Sequence, residues 1–140
     1  GGATSSSLKI GYVTTSPLVV TINDKAIIKY TFSGTDSSGD AVPEGNATWK
    51  INGKTIATNI ALNGENSFDA TEYLSVGTQK VNLSIVDEAG SLVTKTWTVQ
   101  KIDVRLESTF NDKLTYPSLK TIWTAVKDKV DSYLNYDIDL

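Results

Sequence analysis

Carboxylates and hydroxyls are the residues from which chemistry could be argued in this sequence. Asp36, Asp40 and Glu44 cluster around Thr35-Asp36-Ser37-Ser38-Gly39-Asp40, where their oxygens could be offered to a calcium ion. The run lacks the ordered ligand spacing and the closing bidentate Glu of a calcium loop, so we expect an exposed turn in which Asp and Ser bond their own backbone. Asp87-Glu88 and the pair Asp137 and Asp139 could nominally act as acid and base. That role needs a buried cleft that drives two pKa values apart, and these residues sit among turn and tail residues that predict solvated charges.

The 140 residues include no His and no Cys, which removes the usual general base, the thiolate nucleophile, disulfides and the commonest metal ligands. Ser with Lys remains as a nucleophile pair, with no spacing to support it. The expectation is a protein that is not an enzyme, with no catalytic residues, no cofactor and no metal. Asn46-Ala47-Thr48 and Asn82-Leu83-Ser84 match the glycosylation acceptor pattern, a signal that matters only in a eukaryotic secretory pathway.

Hydrophobic residues at 39% and charged residues at 21% describe a chain able to pack a core. The net charge is -3, with no basic run to track a phosphate backbone, so nucleic acid is not an expected partner. No stretch approaches the roughly 20 apolar residues of a spanning helix, so membrane insertion is not expected. The absence of Met leads us to expect a piece of a longer protein, with residues 1–7 a disordered or artificially added start.

The elements that must position these groups read as short β-rich runs from Leu8 to Leu106, punctuated by Gly, Asn, Asp, Ser and Pro. Leu8–Val13 and Leu18–Ile22 form a first strand interrupted at Pro17, a residue confined to edges and kinks. Ala26–Ser33 follows, with Ile28, Tyr30 and Phe32 on one face. Asn52-Gly53 between alternating runs predicts a type I′ hairpin, pairing Ile51 with Lys54 and Trp49 with Ile56. Glu88-Ala89-Gly90 predicts a three-residue loop with a left-handed Gly90, pairing Ile85 with Val93 and Val81 with Trp97. Lys95 then falls opposite Leu83 and must run its stem along the core edge and snorkel out. Gly39, in a loop without assigned register, is expected to tolerate substitution.

The core predicted from these registers is Ile28, Tyr30, Phe32, Trp49, Ile51, Ile56, Val81, Leu83, Ile85, Val93, Trp97 and Val99. Ile102, Val104 and Leu106 continue the alternation as an extension of the last strand or the start of a neighbouring unit. After a linker over 107–116 the period changes. From Pro117, Leu119, Ile122, Trp123, Val126, Val130, Tyr133 and Leu134 fall within an arc of about 120° on a helical wheel, and Pro117 suits a first helical turn. Residues 117–140 are thus read as an amphipathic helix and tail appended to the sandwich, with those seven side chains as its interaction face.

The fold class expected is all-β, an antiparallel sandwich over 8–106. "TWKINGK" followed by "VNLSIVDEAGSLVTKTWTV" resembles the closing half of bacterial and phage Ig-like domains of the PKD and bacterial-Ig type. Asp87 and Gly90 match that family's strand-and-turn pattern, and Trp49 stands where its third strand carries a core Trp. More narrowly, Asn66 to Ser108 is similar to stretches of minor structural proteins of tailed bacteriophages, in their tails or appendages; the chain from Asn111 on departs from that pattern. The resemblance implies a structural Ig-like module in a virion, exposed at its surface, acting as a spacer with an assembly or docking helix. Its partners would be other virion structural proteins or copies of itself. The alternative it leaves is a binding module for host-surface carbohydrate on a phage or bacterial surface protein, which would need two or three exposed aromatics on one face; Tyr12 and Tyr73 are the candidates outside the expected core and tail.

Overall fold

A computed structural model describes residues 7–105. Eight strands follow in order: β1 (Ser7–Tyr12), β2 (Leu18–Thr21), β3 (Ile27–Thr35), β4 (Glu44–Ile51), β5 (Lys54–Leu62), β6 (Gly64–Asp69), β7 (Gly77–Val86) and β8 (Leu92–Ile102), with a single 3-10 turn at Thr71–Tyr73. They form a three-stranded sheet, β1-β3-β6, and a five-stranded sheet, β2-β8-β7-β4-β5. Alternation explains the two layers. Val81, Leu83 and Ile85 on β7 and Ile28, Tyr30 and Phe32 on β3 are buried, while the residues between them are partly or fully exposed, so each sheet turns one face inward.

The β4–β5 hairpin turns at Asn52 (φ 50°) and Gly53 (φ 86°), the paired positive values of a type I′ turn, and Ile51 pairs with Lys54 as expected. Two pairs further the register departs from expectation. A bulge makes Ile56 an extra residue, so Trp49 faces Ala57 rather than Ile56. Ala57 beside the indole leaves room for the ring to lie inward, and Ile56 packs only partly buried at the rim.

In the β7–β8 hairpin the expected register holds along its length: Ile85 with Val93, Leu83 with Lys95, Val81 with Trp97. Asp87 and Ser91 close the loop through Asp87 N donating to Ser91 O at 3.2 Å, with Gly90 at φ 84°. Gly39 corrects the reading of the β3–β4 loop, since its φ of 85° is the left-handed region that disfavours any side chain.

Pro17 marks the place where the first strand changes sheets. β1 pairs antiparallel with β3, whereas β2 pairs with β8 and runs parallel to it, which corrects the expectation of a wholly antiparallel sandwich. Ser7 lies beside Thr35, at the end where β3 hands over to β4; Ile102 lies beside Thr21 at the opposite end, one residue past the Lys101–Gly77 pair. The strand order thus carries the chain in at one pole and out at the other.

The core closes around rings. Trp49 stacks on Phe68 at 4.1 Å between centroids, Tyr30 meets Trp49 edge-on at 5.6 Å, and Trp97 lies 6.0 Å from Trp49. Nine of the expected core residues are almost fully enclosed; Ile51, Ile56 and Val93 pack against them from the rim. Ile10, Val20, Val42, Phe68 and Leu74, with four alanines, complete the interior.

The chain divides after Ile102. Beyond that point Arg105 sets its guanidinium on the Asp103 carboxylate, Nε to Oδ1 at 3.2 Å. Val104 lies outside β8. The expected N-terminal start, Leu106, the linker 107–116 and the helix 117–140 lie outside the described residues, apart from Ser7, which opens β1.

Candidate functional site

Four of the acidic residues singled out from the sequence converge. Asp36, Glu44, Asp87 and Glu88 line, with Val42 and Pro43, a groove of about 260 Å³ where the β3–β4 loop meets the β7–β8 hairpin. Two of these carboxylates, Asp36 and Asp87, are nonetheless committed to holding turns. Asp36 Oδ1 accepts from the backbone N–H of both Ser38 and Asp40 at 2.9 Å, and Asp87 Oδ1 accepts from Ser91 N at 2.9 Å. Among the described residues no three acidic side chains are placed to hold a metal ion. Asp36 therefore builds an Asx turn, which is the local structure its neighbours Ser38 and Gly39 favour.

Two carboxylates that the sequence did not single out are each held by a neighbouring threonine. Thr71 donates both its hydroxyl and its backbone N–H to Asp69 Oδ1, and the same hydroxyl accepts from Ala26 N at 2.8 Å, tying the end of β6 to the start of β3. These hydrogen bonds, that of the hydroxyl first, hold the Asp69 carboxyl below its ordinary range. Asp24 is lowered likewise by the backbone and then the hydroxyl of Thr21. Asp-x-Thr and Thr-x-x-Asp spacings were the available signals.

Lys95 confirms the snorkelling geometry in a specific form. Its Nζ stands 4.1 Å from the centre of the Tyr12 ring, and that ring meets Trp97 edge-on at 5.3 Å. Tyr12 also donates its hydroxyl to Thr96 O at 2.8 Å, so although 47% exposed it is a cover for Trp97. Tyr73 stacks on Phe68 at 6.0 Å. Tyr12 lies on β1 and Tyr73 on the 3-10 turn that follows β6, and each closes a core ring; they do not form a shared exposed platform for a sugar.

At the middle of β7 and β8 the outer face is polar and internally bonded: Asn82 Nδ2 donates to Thr96 Oγ1 at 3.0 Å and Ser84 Oγ donates to Asn82 Oδ1 at 3.2 Å. Asn82 thus belongs to a sheet network rather than a loop. The expected interaction face, Leu119, Ile122, Trp123, Val126, Val130, Tyr133 and Leu134, lies outside the described residues, as do Asp137 and Asp139.

A two-sheet arrangement with three and five strands, the third and seventh strands central and a Trp at the middle of β4, is that of an Ig-like β-sandwich. Comparison with solved structures agrees. The chain is similar to the CARDB domain of a Pyrococcus furiosus protein, whose crystal structure holds di-metal ions: 20% identity, TM-score 0.51, covering 71% of this chain and 94% of that one. At that identity the likeness shows the fold alone. Fibronectin(III)-like modules of CbhA from Clostridium thermocellum align at 13% identity and TM-score 0.49 over 73% of this chain and 50% of theirs. No protein-family model and no curated protein sequence matches the chain.

Proposed function

We propose that this chain is a non-catalytic structural module of a phage tail or appendage, a spacer whose C-terminal segment makes an assembly contact with other virion proteins. The observation that carries the spacer reading is the parallel pairing of β2 with β8. It sends the entering and leaving strands to opposite poles, so that load applied along the chain puts the β1–β3 and β2–β8 hydrogen bonds in shear. The eleven residues of β8 separate those poles by about 35 Å at roughly 3.3 Å per residue.

The described chemistry supports a structural role. Among the described residues, Asp24, Asp36, Asp69 and Asp87 are engaged in local turns, the aromatic rings fill the core or cover it, and no nucleophile and base are assembled as a pair. The virion setting rests on the likeness of Asn66 to Ser108 to phage structural proteins. The assembly contact rests on the apolar arc from Leu119 to Leu134, which needs cover.

Immunogold labelling of purified phage particles from the source lysate, with antibody raised against this chain, tests the setting. Label on tails or appendages is the expected result. Particles that carry none of the chain, with all of it in the cell fraction, would contradict the proposal.

A further inference from the structure

β5 is an edge strand, paired with β4 on one side only. Asn63 N donates to Pro43 O at 2.9 Å, which fixes the alternation: residues 57, 59 and 61 direct their backbone groups at β4, and Thr58, Ile60 and Leu62 direct theirs to the open side. At Leu62 those groups are already taken, because its N–H donates to Asn66 Oδ1 at 3.0 Å and its carbonyl accepts from Asn66 Nδ2 at 2.8 Å. Thr58 and Ile60 are left to pair. Thr55 to Leu62 contains no charge and no Pro, the devices that usually blunt an edge, and Ile60 and Leu62 are 51% and 58% exposed on its outer face.

We propose that β5 is a self-association edge, at which two copies of the chain pair antiparallel about a two-fold axis at Asn59 and join their five-stranded sheets. The register follows from the two irregularities of the strand. Centred on Asn59, Thr58 of each copy faces Ile60 of the other and four backbone hydrogen bonds form. The capped Leu62 then falls opposite the bulged Ile56, so both defects coincide where the ladder ends. Centring on Ile60 would set Thr58 against the capped Leu62, and centring on Thr58 would set Ile60 against the bulge; each keeps one good pair. A short, uncharged contact of this kind makes a weak dimer, with a dissociation constant on the order of 100 μM.

The test uses the full chain, which contains no Cys of its own. Asn59→Cys places two thiols across the axis in a non-hydrogen-bonded pair, where Cα atoms stand about 4.5 Å apart and a disulfide can close. Under mild oxidation this variant should cross-link at least tenfold faster than Thr94→Cys, on the outer face of β8. Sedimentation equilibrium should show the unmodified chain dimerising with concentration. Thr58→Pro, which removes one edge donor, and Ile60→Lys should both be monomeric with unchanged melting. Trp123→Glu, directed at the proposed C-terminal contact, should leave the dimer intact. A chain that stays monomeric at about 1 mM, ten times the expected constant, would overturn the proposal. So would a dimer that survives Thr58→Pro but is lost in Trp123→Glu, or Asn59→Cys cross-linking no faster than Thr94→Cys.

Discussion

Trp97 and Trp49 lie 6.0 Å apart in the core with opposite fates for their indole nitrogens. Trp97 Nε1 donates to the carbonyl of Thr14 at 2.8 Å, pinning the β1–β2 crossover to β8 across 83 residues of sequence, while Trp49 Nε1 is buried with no partner among the described residues.

The two tryptophans should therefore respond differently to the same substitution. Trp97→Phe strands the Thr14 carbonyl and should cost about 1–3 kcal/mol more than Trp49→Phe, which removes an unpaired donor. Either residue changed to Ala should cost about 3–5 kcal/mol. Urea unfolding of the four variants measures this; equal losses for the two Phe variants would mean that the Thr14 bond contributes nothing.

The hairpin turns give a second expectation. Gly53→Val and Gly90→Val force a β-branched residue to a φ near 85° and should lower the melting temperature clearly. Gly39→Val should do the same, because its φ is also 85°. Thermal melts of all three decide it, and a neutral Gly39→Val would show that the loop can relax.

Alkaline behaviour should report on Tyr30, whose burial pushes the phenol up to about 12. The unfolded chain loses that proton near pH 10, where the folded chain keeps it, so the stability this difference supplies is intact below pH 10 and is lost as pH rises to about 12. Tyr30→Phe should flatten the fall in a pH series of melting temperatures. In acid the sign reverses. Asp24 and Asp69 are held low, so their contribution is present above the ordinary carboxylate range and disappears as pH drops through their folded values; Thr71→Val should weaken that acid dependence.

Local rules made the hairpins legible. Asn52-Gly53 and Glu88-Ala89-Gly90 fix φ by residue type, and a two- or three-residue loop leaves little choice of register, so Val81–Trp97 and Ile85–Val93 could be read from spacing. The Ile56 bulge could not, because no turn residue or spacing near Ile56 marks an extra residue in the strand. Phe68 escaped for a similar reason: β6 has a short, Gly- and Asn-bearing sequence with little alternation, and only the opposing sheet shows that its ring covers Trp49. The acidic groove was half legible, since the residues were visible in sequence but their commitment to Asx and hairpin turns is a property of the folded loops.

The claim that this domain is built as a spacer is tested most directly by pulling it. In single-molecule force spectroscopy on the Cys-free chain, handles at Ser7→Cys and Gln100→Cys load β1 against β3 and β2 against β8 in shear, whereas handles at Thr78→Cys and Gln100→Cys, a directly paired position, peel β8 from β7 one bond at a time. The first geometry should break at a clearly higher force and in a single step. Equal forces, or gradual extension in the first geometry, would contradict it.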